Sequence, residues 1–478
     1  MVAKRVSYKQ IQLQQSRMDD CANRVNLFRE KYKLPIYTLR LPGSRLYVIN
    51  DTGLIPVLQR QIRTLSISPI IVRIFSHFMG ISEPALDIMG RDPIEDPGFV
   101  HQMTIGTTKG LAPGPNLDDL NAKAVNILNA SLEHTPTRVK MFQWASHEIM
   151  MATTNAVYGP RNPFKDPAVR AAYYKLEGGL LTLVTGFLPS LVAREALKAR
   201  RIITEAFVKY FAENSLEEAS VYARNRYQYP SSLGVPVEDI AKMETGGSIG
   251  LISNTMPATF WTLYHIFSDP AVLEDCHEEV KKAVRERGGE NYLDLAYVKS
   301  CCPLLVSTMQ EAFRVHSIGM SVRAVVEDHL LGGEYLLKKG STVLIPSTVQ
   351  HNSSTAWGKN ANDFYHKRFL KKPKTKHNPV AFRAFGGGST LCPGRHFATT
   401  EILAFASIIL LRFDIKPVKG PWDTKLYKET NAAFRIPNHD IDVELFLRDC
   451  RKWHIIFSEP GKPMEISTED LPSTSKEA

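Results

Sequence analysis

The sequence predicts a mainly α-helical fold with small β-sheets, an α+β arrangement in a single large domain, and three observations predict it. Apolar residues recur at helical spacing through most of residues 116–316. Short alternating runs bounded by Gly and Pro are confined to residues 36–50, 321–346 and 413–456. No internal repeat and no linker interrupts the 478 residues. Length alone would also permit two or three domains, so it is the missing linker that argues for one. With 44% hydrophobic and 23% charged residues the chain can bury a large core. Disorder is expected only at its ends: a polar segment without an anchor at 1–24, a folded domain at 25–457 and a disordered polar tail at 458–478.

Arg24 to Tyr32 reads as a helix. Two strands follow, in IYTLRL and RLYVIN, on either side of Pro42-Gly43, and Asp51 starts another helix. The string LAPGPNLDDLN places a helix start at Asn116, running to about His134. Helices are then expected over Arg138 to Tyr158, Pro167 to Phe187 and Leu191 to Ala212, the last with Arg194, Lys198, Arg200 and Arg201 on one side. Between them the run Gly178 to Val192, GGLLTLVTGFLPSLV, reads first as core, with a lipid-dipping loop at the mouth of a substrate channel as the alternative.

Asp239 to Phe267 is the longest buried-looking helix, and Asn254 and Thr255 in its middle are costly in a dry core unless paired. Pro257 has no N–H for the carbonyl of Ser253, so a kink is expected there, with a groove for a small ligand and a water beside a hydroxyl. Amphipathic helices follow to Arg287 and from Tyr297, then LLVSTMQEAFRVH, where Glu311 and Arg314 share a face and pair, as surface residues also do. Strands are expected around Ser321 to Val326, Gly333 to Leu337 and Thr342 to Pro346, and an irregular stretch from His351 to Leu370. The chain closes with a glycine-cysteine loop, a helix and a β-rich segment from Phe413 to Ile456.

That loop, Phe385 to Ala398, reads FGGGSTLCPGRHFA. Its glycines let the backbone turn tightly and approach a flat ligand. Cys392 then stands at the mouth of a helix, where unpaired N–H groups and the dipole favour a thiolate, a soft metal ligand or a nucleophile. A lone cysteine is more often a small buried hydrophobe, so the surroundings must decide. The other cysteines are scattered without Cys-x-x-Cys spacing, which argues for a reducing compartment and against zinc. The excess of 59 Lys+Arg over 49 Asp+Glu comes with no basic run interleaved with aromatics, so no nucleic-acid partner is expected. The densest basic cluster, Lys371, Lys372, Lys374 and Lys376, is either a solvated loop or a docking face for an acidic electron donor. No stretch reads as a signal peptide or a membrane span.

Phe385, Gly388, Cys392 and Gly394 match Phe-x-x-Gly-x-x-x-Cys-x-Gly, which resembles the heme-ligand loop of the cytochrome P450 family. Upstream, Glu311-Ala-Phe-Arg314 and then Phe364 to Phe369 reproduce the order of that family's other known segments, so the resemblance spans about Val25 to Phe457. It implies one large domain around a buried heme b, with Cys392 as iron ligand and Phe385, Gly388 and Gly394 shaping its loop. It also implies that Arg323 and Arg395 meet the heme carboxylates, and that Glu311, Arg314 and Arg368 form a charged cluster behind the heme. Thr255, beside Asn254, would hold O2 and an ordered water. Substrate would lie among Ile252, Ser253, Pro257, Ile318, Met320, Ala433 and Phe434. Two departures narrow the branch: Thr390 stands where most members have an arginine two residues before the cysteine, and Asn254 replaces the usual acid. With NTMPATFW and FLPSLVA these resemble the sterol hydroxylase and prostacyclin synthase branch, in a fungal member.

The implied activity is oxidation of a lipophilic sterol, terpenoid or related secondary metabolite with O2. Electrons would come from NADPH through a cytochrome P450 reductase, at the cytosolic face of the endoplasmic reticulum. Asn254 cannot deliver a proton as a carboxylic acid can. A heme-thiolate isomerase rearranging an oxygenated lipid therefore stays open, as does a heme-thiolate sensor without turnover.

Overall fold

Alternate apolar residues at the start of the domain pair into a hairpin, β1 (Ile36–Leu41) against β2 (Ser44–Ile49), whose turn is closed by Gly43 at φ +68°. The computed structural model describes residues 34–41, 43–90, 98–186, 188–370, 378–423, 427–428 and 433–458. The expected helix at Arg24 to Tyr32, the lysine cluster at 371–376, and nearly all of both polar ends lie outside them.

The hairpin grows into a five-stranded sheet of order β1-β2-β10-β7-β3, with β3 (Leu65–Ser66), β7 (Met320–Val325) and β10 (Thr342–Pro346). β10 runs parallel to β2 and antiparallel to β7. A short helix α1 (Leu54–Gln59) covers it, and Ile36, Tyr47, Ile55, Leu58, Val343 and Ile345 make a small separate core beneath.

The larger core is helical. Its members in chain order are α2 (Ser68–Ile74), α3 (Glu83–Gly90), α4 (Phe99–Leu111), α5 (Pro115–Ser131), α6 (Met141–Tyr158), α7 (Pro167–Gly178), α8 (Leu180–Thr185), α9 (Pro189–Val192), α10 (Arg194–Ala212) and α11 (Val221–Ser232). They continue with α12 (Val237–Ile252), α13 (Thr255–Phe267), α14 (Pro270–Val280), α15 (Leu295–Cys301) and α16 (Pro303–His316), and after the short α17 (Ser347–His351) and α18 (Ser354–Trp357) with α19 (Arg395–Arg412). α19 is buried along almost its whole length, so apolar residues surround it on every side.

Four expectations are corrected. Arg138–Lys140 is strand β4 rather than helix, because Val139 pairs with Val443 of β14 (Asp442–Leu447), itself paired to β11 (Phe413–Pro417). α6 starts only at Met141, where the Asp440 carboxylate accepts the N–H groups of Phe142 and Gln143 at 2.7 and 2.9 Å. Val284–Arg287 is likewise strand β5, turned back on β6 (Glu290–Asp294) through Gly288 and Gly289 at positive φ. The helices expected over 167–187 and 191–212 are broken, the first at Gly179, where a Cβ would fall 2.3 Å from that of Ala196. In the run 178–192, Leu183 is buried as expected of core, but Leu188, Leu191 and Val192 are 51–60% exposed.

The central helix is interrupted, α12 ending at Ile252 and α13 starting at Thr255, with Ser253 and Asn254 as a turn between them. Pro257 is the cause: the ladder resumes only at Ala258, whose N–H reaches Asn254 O at 3.2 Å.

Buried ionisable groups tie this core to pH. Among the described residues Glu401 on α19 accepts only the Thr153 hydroxyl, at 2.8 and 3.0 Å, and burial pushes its carboxyl up to about 8. His265 and His316 share a 2.8 Å contact between the rings of Trp261 and Phe364, and burial holds His265 and His351 down at about 3 and His316 well below its ordinary value. The native state thus keeps a proton on Glu401 that the unfolded chain loses above about 4.5, so this group's stabilisation falls as pH rises toward about 8. The histidines act oppositely: the unfolded chain takes up protons below about 6.5, so stability falls with pH there. Urea midpoints should decline on both sides, and Glu401→Gln should flatten only the alkaline limb; an unchanged alkaline limb would show that Glu401 is ionised in the native state.

Candidate functional site

Residues 383–398 form a looped hairpin shaped by three short-range backbone hydrogen bonds. Gly386 N–H reaches Arg383 O at 3.1 Å, Leu391 N–H reaches Gly388 O at 3.0 Å, and Cys392 N–H closes the loop on Phe385 O at 2.9 Å. Gly386 and Gly388 take φ +78° and +60°, and a Cβ on Gly386 would stand 3.0 Å from Thr390 O. Gly394 caps α19 and lies close enough to Cys392 for an added Cβ to stand 3.9 Å from Sγ and from Leu111. Arg395 donates to Cys392 O at 3.2 Å.

Burial pushes the Cys392 thiol up, outweighing the lowering by the Gly394 N–H and the Arg395 charge. Burial thus works against the thiolate that the helix mouth two residues away favours. A bound cation is what would deprotonate it.

Behind the loop, α16 brings Glu311 and Arg314 together without exposure to water. Arg314 donates Nε and Nη2 to the two Glu311 oxygens, each at 2.8 Å, and Nη1 to the carbonyls of His351 and Ala361 at 2.7 and 2.6 Å. Arg368 donates Nε to Glu311 Oε1 at 2.8 Å and its other nitrogens to Trp357, Asn360 and Asp363. One carboxylate thus serves two guanidinium groups, and carbonyls of residues 351–363 take the remaining donors. The sequence reading missed two residues here. Buried His351 accepts the Arg383 N–H at 2.8 Å, and Phe313, two residues after Glu311, packs edge-on against both Phe385 and Phe434.

At the break between α12 and α13, Thr255 is 6% exposed and no hydrogen bond of its hydroxyl is found among the described residues. The Asn254 Oδ1 is buried, also without a partner among them. Ile252, Ser253 and Pro257 are buried, and the Ser253 hydroxyl lies beside the Tyr173 phenol. The turn after α16 meets the late turn: Ile318 and Gly319 both donate to Ala433 O, and Ser317 bridges to Phe434. Met320 differs from these neighbours, being 52% exposed. Residues 431–432 lie outside the described set.

These residues fit a heme. Cys392 supplies one soft sulfur on a glycine-lined loop, aromatic rings flank it, and Arg323, 3% exposed, is a buried cation with no carboxylate partner among the described residues. Such a cation calls for an acidic ligand group beside the loop.

The family profile "Cytochrome P450" matches residues 249–443, which hold both halves of this arrangement. A cytochrome P450 monooxygenase of Hypoxylon pulicicidum, nodJ, is 33% identical over 412 residues, covering 82% of this chain and 79% of its own. The chain belongs to the cytochrome P450 family. A second cytochrome P450 monooxygenase, from Gibberella zeae, is 30% identical over 408 residues, 82% of this chain and 77% of that one. Cholesterol 7-alpha-monooxygenase of Cricetulus griseus is 29% identical over 289 residues, 56% of each chain. The protein is therefore a cytochrome P450 monooxygenase, and its family implies heme and a redox partner. Among the described residues no helix is long and apolar enough to cross a membrane.

If the charged cluster holds the P450 heme loop in place, Arg314→Ala strands the Glu311 and Arg368 charges at a cost of about 3–5 kcal/mol. The variant should purify with little heme and a lowered urea midpoint; full heme loading would refute this role.

Proposed function

We propose that this P450 oxidises a lipophilic ring compound, a sterol, terpenoid or related secondary metabolite, with O2 and with electrons from NADPH delivered by a cytochrome P450 reductase. The observations that carry the proposal are the burial of Ile252 and Pro257 on either side of the helix break beside Thr255, and the joining of Ile318 and Gly319 to Ala433 next to buried Phe434. One relative's name gives cholesterol as its substrate, which supports a ligand of that size and character.

In this reading Cys392 holds the heme, Arg323 and Arg395 offset its carboxylates, and the Glu311–Arg314–Arg368 cluster keeps the loop from yielding. When bound, a thiolate-ligated heme supplies the electron density that favours O–O cleavage. The chain's own task on the other face is to exclude bulk water and place protons. The Thr255 hydroxyl is both donor and acceptor and can orient a water. Asn254 holds that water through Oδ1 but carries no acidic proton, so delivery depends on the water itself. That same residue favours a second reading, a rearrangement that needs no proton delivery.

Leu188, Leu191 and Val192, exposed side by side, are proposed to dip into lipid at the cytosolic face of the endoplasmic reticulum. Replacing all three by Ser should reduce co-flotation with liposomes, and undiminished flotation would rule out that contact.

Deleting the gene and comparing lipophilic metabolites by mass tests the main proposal. The compound that accumulates should be one oxygen poorer than the product that disappears, whereas equal masses would mean rearrangement. With that substrate, Thr255→Ala should consume NADPH with less product per equivalent; an unchanged yield would remove Thr255 from the relay.

A further inference from the structure

Two buried guanidinium groups and a buried amide crowd the flank of the cysteine loop. Arg323 on β7 donates Nη1 to Val322 O and Nη2 to Thr390 Oγ1, both at 2.8 Å, while Thr390 donates onward to Gly387 O at 3.2 Å. Arg383, 5% exposed, donates Nη2 to Ser321 Oγ at 3.3 Å. A Cβ on Gly387 would fall 2.5 Å from Arg383 Nη1 and 3.0 Å from Gln59 Nε2, so the missing side chains of the glycines leave the room these groups occupy. Gln59 Nε2, at the end of α1, is a buried donor with no acceptor among the described residues. The Thr390 hydroxyl is already engaged on both sides and stands at the position where most of the family has an arginine.

We propose that Arg383 and Gln59, together with Arg323, form the seat of one heme carboxylate, so that the arginine absent from position 390 is supplied from position 383. The inference rests on the heme-thiolate reading above. Its chemistry is that of carboxylate recognition: two planar guanidinium groups and an amide N–H offer several donors to one anion, and that anion relieves the buried charge of Arg323, which has no carboxylate partner among the described residues. Arg383 is suited to the task because its own backbone is pinned. Its N–H is held by His351 and its carbonyl by Ser347 and Gly386, so its side chain springs from a fixed point beside the loop.

The test is the rate at which the purified holoprotein gives up heme to excess apomyoglobin, measured with native heme and with heme dimethyl ester, whose carboxylates are blocked. With native heme, Arg383→Ala should lose it roughly ten- to a hundredfold faster than wild type, the range one charge-assisted hydrogen-bonded pair is worth. Arg383→Lys should fall between, and Gln59→Leu should show a smaller acceleration. With the ester, wild type and Arg383→Ala should release at the same rate. Equal rates with native heme overturn the seat. A difference that persists with the ester also overturns it, since it would mean that Arg383 only supports the packing. A wild type that takes up no heme overturns the parent reading, and the seat with it.

Discussion

One carboxylate, Glu311, carries much of the architecture around the site. It is wholly buried and bonded to two guanidinium groups, whose further donors reach carbonyls of the segment between His351 and Asp363. Those bonds impose a shape on a stretch that has little regular structure of its own. The shape passes on: His351, held through its carbonyl, uses its ring to hold the Arg383 N–H, and Arg383 begins the loop that ends at Cys392. Removing any charge from this chain of bonds leaves another buried without a partner, which is why the arrangement is rigid rather than merely stable.

The parts legible in the sequence are those written within a few residues. Glu311 and Arg314 lie three apart on one helix, and the backbone bonds Leu391 to Gly388 and Cys392 to Phe385 close the loop within Phe385 to Gly394, so their pattern survives in one dimension. Pro257 could be read for the same reason, since it breaks its own helix. What could not be read depends on distant partners. Residues 138–140 became a strand because Val443 was there to pair with, and the start of α6 is set by Asp440, 298 residues away. For Cys392 the local dipole is visible in the sequence, whereas the burial that works against it depends on the assembled core. Arg368 was placed in the cluster only through the family resemblance, and nothing local in FYHKRF tells it apart from Lys367, which pairs with Asp275 at the surface.

Arg323 is buried beside the loop with no carboxylate partner among the described residues. Its donors reach a carbonyl and a hydroxyl, which soften the charge without cancelling it. If a heme carboxylate seats there, as proposed, it supplies negative charge where this cation lacks it, and loading and folding are then coupled, the loaded state gaining stability that the empty chain does not have.

The two faces of the site are built on opposite rules. Behind the loop nearly every donor of Arg314 and Arg368 is matched, at distances between 2.6 and 3.1 Å. At the break between α12 and α13 the Asn254 Oδ1 is buried and, like the Thr255 hydroxyl, has no hydrogen-bond partner among the described residues. A buried polar atom left unmatched costs free energy that packing elsewhere must offset. In the proposed function that cost is met when a water and a substrate complete the bonding. In that reading full satisfaction around Glu311 fixes the cysteine loop, and incomplete satisfaction at the helix break reserves hydrogen-bonding capacity for the reaction. The same Pro257 that weakens the helix would then leave open the groups that the chemistry requires.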